Sequence, residues 1–223
     1  MHLGRVRYEE VIPLPKSTSK SAILYDEIRT ALHDGRYAPG TRIDPAALAA
    51  QFKTSPTPVR FALYRLVGEG VIVDHARDGF HVPLTTESTL RNLYDWMQRL
   101  LLMACEIRST SVQAIPSALV DATHRGDVVL LTRELFEAIA LSAGHHSLYL
   151  AVHQVNDKLS AVRRAKQSLI PDAHQELVHL VQHWRRHNLK SLKTALVAYH
   201  DRRKHLVPQI VELLDASTSD PSH

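Results

Sequence analysis

The stretch SPTPVRFALYRLVG, residues 55–68, carries the strongest structural signal in this chain of 223 residues. Ser55 is a good helix N-cap, and proline is well tolerated in the first turn that follows. Apolar residues recur at helical spacing and predict a buried face: Val59, Ala62, Leu63 and Leu66. The opposite face carries polar and aromatic side chains: Thr57, Arg60, Phe61 and Tyr64. The stretch therefore predicts an amphipathic helix whose outward face is free to contact a partner.

The flanking sequence places this helix within a larger unit. One helix is predicted between Ser19 and Gly35, and a shorter one within residues 44–52. After the quoted stretch, two short apolar runs flank a polar turn that ends at Gly79, which is typical of a β-hairpin. The order of helix, helix, turn, helix and hairpin predicts a winged helix-turn-helix domain.

The domain organisation follows from where these patterns begin and end. The predicted units are an N-terminal arm (1–18), the winged helix-turn-helix domain (19–83), a linker (84–88), an all-helical domain (89–215) and a flexible tail (216–223). Beyond the linker the sequence shows only helical periodicity. The predicted fold class is therefore mostly α, with an N-terminal winged helix-turn-helix followed by an all-helical bundle.

Composition limits the function without deciding it. The formal net charge of +4 permits a polyanionic partner but does not require one. No run approaches the roughly 20 apolar residues of a membrane span, and the N-terminus lacks a secretory pattern, so we expect a cytoplasmic protein with no membrane partner. The single cysteine, Cys105, is expected to be a buried structural thiol. The sequence has no P-loop and no common hydrolase motif, so we do not expect an enzyme.

The outward face of the quoted helix suits duplex DNA. A helix fits the major groove, and Arg60 can bond guanine or phosphate through two donors. Ser55 and Thr57 lie at the helix start, where hydroxyl and backbone N–H groups favour a phosphate oxygen, and Tyr64 can donate to phosphate. Plainer alternatives stay open: Ser55 as an N-cap alone, Arg60 as a solvated arginine, and Phe61 as a residue packed against the second domain.

The N-terminal region resembles the GntR family of bacterial regulators. The resemblance lies in YAPGTRI (37–43), in residues 55–63 and in Glu69-Gly70, in that order along the chain. Pro56 stands where the family usually has arginine, and Phe61 where an acidic residue is usual, so we expect sparser direct readout of the DNA. The helix face and the resemblance together give the predicted DNA-binding set: Arg42, Ser55, Thr57, Arg60, Tyr64 and Gly79.

Polar residues of the helical region fall on faces that are otherwise apolar. On helical wheels, His174 and His200 each lie within an apolar stripe, and Arg133 and Glu137 share a face with apolar neighbours. These side chains, from three helices, are therefore expected to point into one helical core. Burying charge is costly unless it is paired or bound, so the pattern predicts an effector-binding pocket made of these four residues.

The helical region resembles, more weakly, the FadR-type branch of the family with its helical C-terminal (FCD) domain. That resemblance implies a homodimer that binds a short palindromic operator in double-stranded DNA and responds to a small metabolite, as a repressor. In metal-binding members an aspartate and three histidines line the pocket. Here His174 and His200 match, Glu137 replaces a histidine and Arg133 replaces the aspartate. The resemblance thus implies that Glu137, His174 and His200 hold zinc, manganese or nickel.

Arg133 leaves other interpretations open. An arginine repels a metal cation, so it can instead clamp a carboxylate, which makes the effector a small organic acid. A further alternative is an ion pair between Arg133 and Glu137 with two satisfied core histidines. Two other functions also stay open: a metal-dependent enzyme built on the His/Glu cluster, and a helical adaptor that uses the winged helix for protein contacts.

Overall fold

The computed structural model describes residues 20–107 and 126–218. The predicted arm and the end of the predicted tail lie outside these ranges. Within them the chain is mostly helical, with one small sheet near its N-terminal end, so the predicted fold class is confirmed. None of the helices in these two ranges combines the length and the apolar character needed to cross a membrane.

The N-terminal part contains short helices and a small sheet. Its helices are α1 (Lys20–His33), α2 (Pro45–Gln51) and α3 (Pro56–Gly68). Its strands are β1 (Arg42–Ile43), β2 (Val73–His75) and β3 (Gly79–His81). The predicted order of helices and hairpin is confirmed. Strand β1 was not predicted, because a strand of two residues is too short to show an alternating pattern.

Helices α1 and α3 pack against each other through their apolar faces. Leu24 and Ile28 of α1 belong to the same buried cluster as Val59, Leu63 and Leu66 of α3. Their spacing of three and four residues is the reason that each helix turns one face inward. The opposite face of α3 is therefore left for contacts outside the domain.

The small sheet forms the wing. It is antiparallel, in the order β1-β3-β2, and Arg42 pairs with His81 while Ile43 pairs with Phe80. The β2–β3 hairpin closes at Gly79, whose φ of 81° is a left-handed conformation that residues with a Cβ rarely adopt. The pairing holds the residues just before α2 beside the wing.

The helical part forms a second core. Its helices in the described ranges are α4 (Glu87–Ile107), α5 (Val128–Ser142), α6 (His146–Ala165), α7 (Ala173–Arg185), α8 (Leu189–His205) and α9 (Val207–Thr218). Helix α9 includes the first residues of the predicted tail. Cys105 lies in this core as a free thiol, and burial raises its pKa to about 11, so the predicted structural thiol is confirmed.

Candidate functional site

Helix α3 presents the two faces that the sequence predicts. Val59 and Leu63 are fully buried, whereas Phe61 is 66% exposed and Tyr64 is 53% exposed. Arg60 is also exposed. The prediction of an amphipathic helix is confirmed, and the alternative that Phe61 packs against the second domain is wrong because the ring is mostly in solvent.

The start of α3 offers fewer backbone donors than an ordinary helix. Ser55 has the extended backbone of an N-cap residue, but its side chain makes no capping hydrogen bond, so a purely capping role for the hydroxyl is wrong. Pro56 and Pro58 have no backbone N–H, which leaves Thr57 as the helical residue of the first turn with a free donor. An anion at this helix end would therefore depend on side-chain groups as well as on the backbone.

A cleft between α3 and the wing collects most of the predicted DNA-binding residues. It has a volume of about 290 Å³, and its lining includes Arg42, Arg60, Tyr64 and Gly79. Ser55 and Thr57 are exposed at the N-terminal end of the same helix. The predicted set thus lies along α3 and the wing beside it. The sequence alone does not show that β1, which carries Arg42, lies close to α3.

An aromatic contact fixes the recognition face relative to the wing. The rings of Tyr64 on α3 and Phe80 on β3 meet edge to face, with their centres 5.1 Å apart. Phe80 is buried, so it anchors the contact from the wing side. Because such aromatic pairs have a preferred geometry, the wing and the helix are held as one surface.

The predicted pocket residues of α5 do not point into the helical core. Arg133 and Glu137 share their face of α5 with Leu130 and Leu141, which are 49% and 41% exposed. The core side of the same helix is lined by Leu135 and its neighbours. The helical wheel correctly placed Arg133 and Glu137 on one face of α5 together with apolar neighbours. That face, however, turns toward α6 and α1.

Arg133 is already paired within the protein. Its Nε lies 3.0 Å from Glu137 Oε1, and its Nη1 lies 2.8 Å from Asp157 Oδ1. Glu137 Oε1 is also 3.1 Å from His153 Nδ1. The i,i+4 ion pair that was one sequence alternative is present, and the guanidinium is engaged by these carboxylates. Arg133 is therefore already held by carboxylates of the protein itself, and its role as a clamp for a carboxylate effector stays a prediction.

The two predicted histidines occupy different surroundings. His200 is fully buried, its Nδ1–H donates to the Leu196 carbonyl oxygen at 2.7 Å, and its ring stacks on Phe136. Burial lowers the pKa of His200 to about 3, so the ring is neutral. His174 is half-buried in the first turn of α7. Neither ring is hydrogen-bonded or ion-paired to Arg133 or Glu137 in the described residues.

The predicted metal set is not assembled. In the described residues no three His, Cys, Asp or Glu side chains form a group that could hold a metal ion. The structure therefore does not bring Glu137, His174 and His200 together, and their binding of zinc, manganese or nickel stays a prediction. The physical reason is that Glu137 faces α6, whereas His200 lies inside the bundle core.

A polar cluster that the sequence did not predict joins the two parts of the chain. Its centre is Asp157 of α6, which lies 2.6 Å from Arg29, 3.3 Å from His33 and 2.8 Å from Arg133, atom to atom. Burial alone would raise the pKa of this carboxyl, but the basic side chains around it outweigh burial and lower the pKa to about 2. We call these four residues the Asp157 cluster. It links α1 of the N-terminal part to α5 and α6.

Comparisons with known proteins agree with this architecture. Residues 20–82 match the family model described as bacterial regulatory proteins, gntR family. The chain is 29% identical over 139 residues to the Nta operon transcriptional regulator of Aminobacter aminovorans, an alignment that covers 60% of this chain and 63% of that protein. It is 22% identical over 162 residues to the HTH-type transcriptional regulator YdhC of Bacillus subtilis (strain 168), covering 67% and 72%.

Solved structures share the fold at low sequence identity. A transcriptional regulator GntR from Rhodococcus sp. RHA1 superposes with a TM-score of 0.69 at 17% identity, covering 86% of this chain and 99% of that one. McbR/YncC of E. coli gives a TM-score of 0.61 at 16% identity, covering 85% and 97%. The N-terminal part is thus a GntR-type helix-turn-helix domain followed by a helical region. The family model covers only the N-terminal part, so the FadR-type branch and its FCD domain stay predictions.

Proposed function

We propose that this chain is a DNA-binding transcription regulator of the GntR family. It reads a short palindromic operator with the outward face of α3 and responds to a small acid bound by its helical part. The observation that carries the proposal is the exposed face of α3 together with the cleft beside it. The face has the size and chemistry that major-groove recognition needs.

Arg60 is the residue proposed to read a base. It is exposed on α3, and both Arg60 and Arg42 line the cleft between the helix and the wing. A guanidinium matches the acceptor pair of guanine in the major groove, and a second one can neutralise a phosphate. We assign base contact to Arg60 and backbone contact to Arg42, Ser55, Thr57 and Tyr64.

The repressor is proposed to act as a homodimer. A palindromic operator requires two recognition helices related by a two-fold axis. Helix α4 carries large apolar side chains at its surface, with Trp96 47% exposed, Met103 43% and Ile107 44%. Exposed apolar side chains on one helix are typical of a surface that a second subunit covers. We therefore place the dimer contact on α4.

The proposed test is operator binding by the purified full chain. In a gel-shift titration against a fragment from upstream of its own gene, Arg60→Ala is expected to weaken binding by about 5- to 150-fold for each half-site, the value of one bidentate base contact. The matched control is Arg185→Ala, which removes the same charge from an exposed position at the end of α7.

Two results would contradict the proposal. If the unaltered protein shifts no fragment from that region, with or without small acids, the regulator function fails and the helical adaptor becomes the better explanation. If Arg60→Ala and Arg185→Ala bind equally well, DNA is not read through α3.

A further inference from the structure

The helical part buries three basic side chains that lie outside the Asp157 cluster. Arg163 is 5% exposed, Lys166 is 4% exposed and Arg203 is 2% exposed. Arg163 and Lys166 lie in the last turn of α6 and at its C-cap, and Arg203 lies near the end of α8. We call these three residues the cation site. Charged side chains are almost never buried to this extent unless they are paired.

The charges at this place do not balance. Arg203 Nη2 lies 2.6 Å from Glu176 Oε2, which accounts for one cation. Neither Arg163 nor Lys166 has an ion-pair partner in the described residues, so two basic side chains stay uncompensated. Burial is the main cause that lowers the pKa of Lys166 well below its ordinary value, and the neighbouring arginines lower it further. An uncompensated charge inside a protein is strongly unfavourable, so this arrangement favours a negatively charged occupant.

Donor groups at the cation site are also unused. Arg163 Nη1, Lys166 Nζ and Arg203 Nε are buried and make no hydrogen bond to any described residue. Buried donors in native proteins nearly always have a partner, so each of these groups calls for an explanation. An anion with two or three oxygens would accept hydrogen bonds from all of them at once.

A small cavity lies between these groups. It has a volume of about 30 Å³, and its lining includes Arg163, Lys166, Arg203 and Tyr199, with apolar side chains such as Ile170 on its other side. A cavity needs roughly 10–15 Å³ to admit one water molecule, so this one has room for a compact group such as a carboxylate. The apolar side is suited to the carbon atom that such a group is attached to.

Aromatic rings hold the cations in place around the cavity. Lys166 Nζ lies 5.2 Å from the ring centre of Tyr94, and the guanidinium carbon of Arg203 lies 3.2 Å from the ring centre of Tyr199. The negative faces of the rings offset part of the charge, but they cannot supply hydrogen-bond acceptors of the strength of a carboxylate oxygen. The donors are thus fixed in position before any ligand arrives, which lowers the entropy lost on binding.

We propose that the cation site binds an oxyanion, a carboxylate or phosphate group, and that it anchors the effector of this regulator. The assignment rests on the proposed function, in which the helical part responds to a small acid, and it replaces Arg133 by Arg163, Lys166 and Arg203 as the residues that hold the acid. Arg163 and Arg203 donate through their guanidinium groups, and Lys166 donates through its ammonium group, which the bound anion keeps protonated.

The experiment measures thermal stability of the full chain against inorganic phosphate and a series of short mono- and dicarboxylates, with sodium chloride at equal ionic strength as the reference. We expect saturable stabilisation by at least one oxyanion beyond the chloride reference. Arg163→Met and Lys166→Met are each expected to raise its dissociation constant about tenfold or more, since a hydrogen bond to a charged group is lost. Lys190→Met, an exposed lysine of α8, is the matched control.

The variants are expected to fold, because each replaces an uncompensated buried charge by an apolar chain of similar length. Far-UV circular dichroism checks this, and Lys166→Gln, which keeps polarity without charge, gives a second variant. A response to carboxylates but not phosphate assigns an organic acid, and the reverse assigns a phosphate ester. The proposal is overturned if no oxyanion stabilises the protein beyond chloride, or if Arg163→Met and Lys166→Met respond like the unaltered chain.

Two outcomes separate the anion affinity of the cation site from the regulator function. If an acid releases the protein from its operator and the cation-site variants are released equally well, the regulator function stands and the site lies elsewhere. If the protein binds no DNA but its oxyanion affinity depends on Arg163 and Lys166, the site stands and the regulator function fails.

Discussion

Replacement of Asp157 by asparagine is the most informative perturbation of this fold. Asp157 is the buried carboxylate that Arg29, His33 and Arg133 share, and it joins α1 to α5 and α6. Asparagine keeps the shape of the side chain, removes its charge and replaces one acceptor oxygen by an NH2 donor. The substitution therefore isolates the electrostatic contribution of the Asp157 cluster from its packing.

The magnitude follows from the pKa. Burial tends to raise the pKa of Asp157, but the basic neighbours lower it from 3.8 to about 2. One pKa unit corresponds to about 1.4 kcal/mol, so ionisation of this carboxyl stabilises the folded state by roughly 2–3 kcal/mol at neutral pH. Because the folded pKa is the lower one, this stability is present above about pH 4 and is lost as the pH falls toward 2. Asp157→Asn should therefore lower the free energy of unfolding by roughly 2–3 kcal/mol or more at pH 7, since Arg29 and Arg133 also lose their charged partner.

Urea unfolding of the full chain at several pH values measures this effect. The two tryptophans of the chain, Trp96 and Trp184, both belong to the helical part, so their fluorescence reports on the unfolding of the part that holds Asp157. The control is Asp95→Asn, which removes an exposed i,i+4 partner of Arg99 and should change the free energy of unfolding little. The reasoning is refuted if the two variants are equally stable at pH 7, or if the deficit of Asp157→Asn does not narrow below pH 4.

Two further predictions concern the cores. Leu63→Ala should lower the free energy of unfolding by about 2–5 kcal/mol, because Leu63 is fully buried where α3 packs on α1. A urea titration followed by circular dichroism measures this loss. A loss below about 1 kcal/mol would contradict the packing described for this helix pair. Cys105 should resist a thiol reagent at pH 8 in the native protein and react fully in denaturing urea, because it is buried and its pKa is about 11. Fast labelling of the native protein would show that the end of α4 is open.

The N-terminal part could be predicted from the sequence because its determinants are local. The residues that bury α3 recur every three or four positions, and Asp44 caps α2 through a hydrogen bond from the Ala46 N–H at 2.8 Å. Gly79 closes the hairpin by pairing with His75, which lies only four positions earlier. Patterns of this kind need no knowledge of distant residues.

The site in the helical part could not be predicted in the same way. A helical wheel correctly placed Arg133 and Glu137 on one face, but it does not say which neighbouring helix covers that face. The residue that pairs with Arg133 is Asp157 of α6. Asp157 also contacts Arg29 of α1, which lies 128 positions away along the chain. The sequence does not predict the buried cations, because Arg163 and Lys166 lie at the end of α6. Basic residues at that position are ordinarily explained by the helix dipole.

Helix α6 connects the two sites that matter for regulation. It carries Asp157, which contacts α1, and about two turns later Arg163 and Lys166, which form most of the cation site. Helix α1 in turn packs on α3, the helix proposed to read DNA. An anion bound at the proposed cation site would therefore contact the same helix that the Asp157 cluster ties to the DNA-binding domain. Because coupling free energies are reciprocal, any change in operator affinity caused by the anion requires an equal change in anion affinity caused by the operator. The Asp157 cluster is the element that both ligands can bias, since its ion pairs depend on the relative positions of α1, α5 and α6.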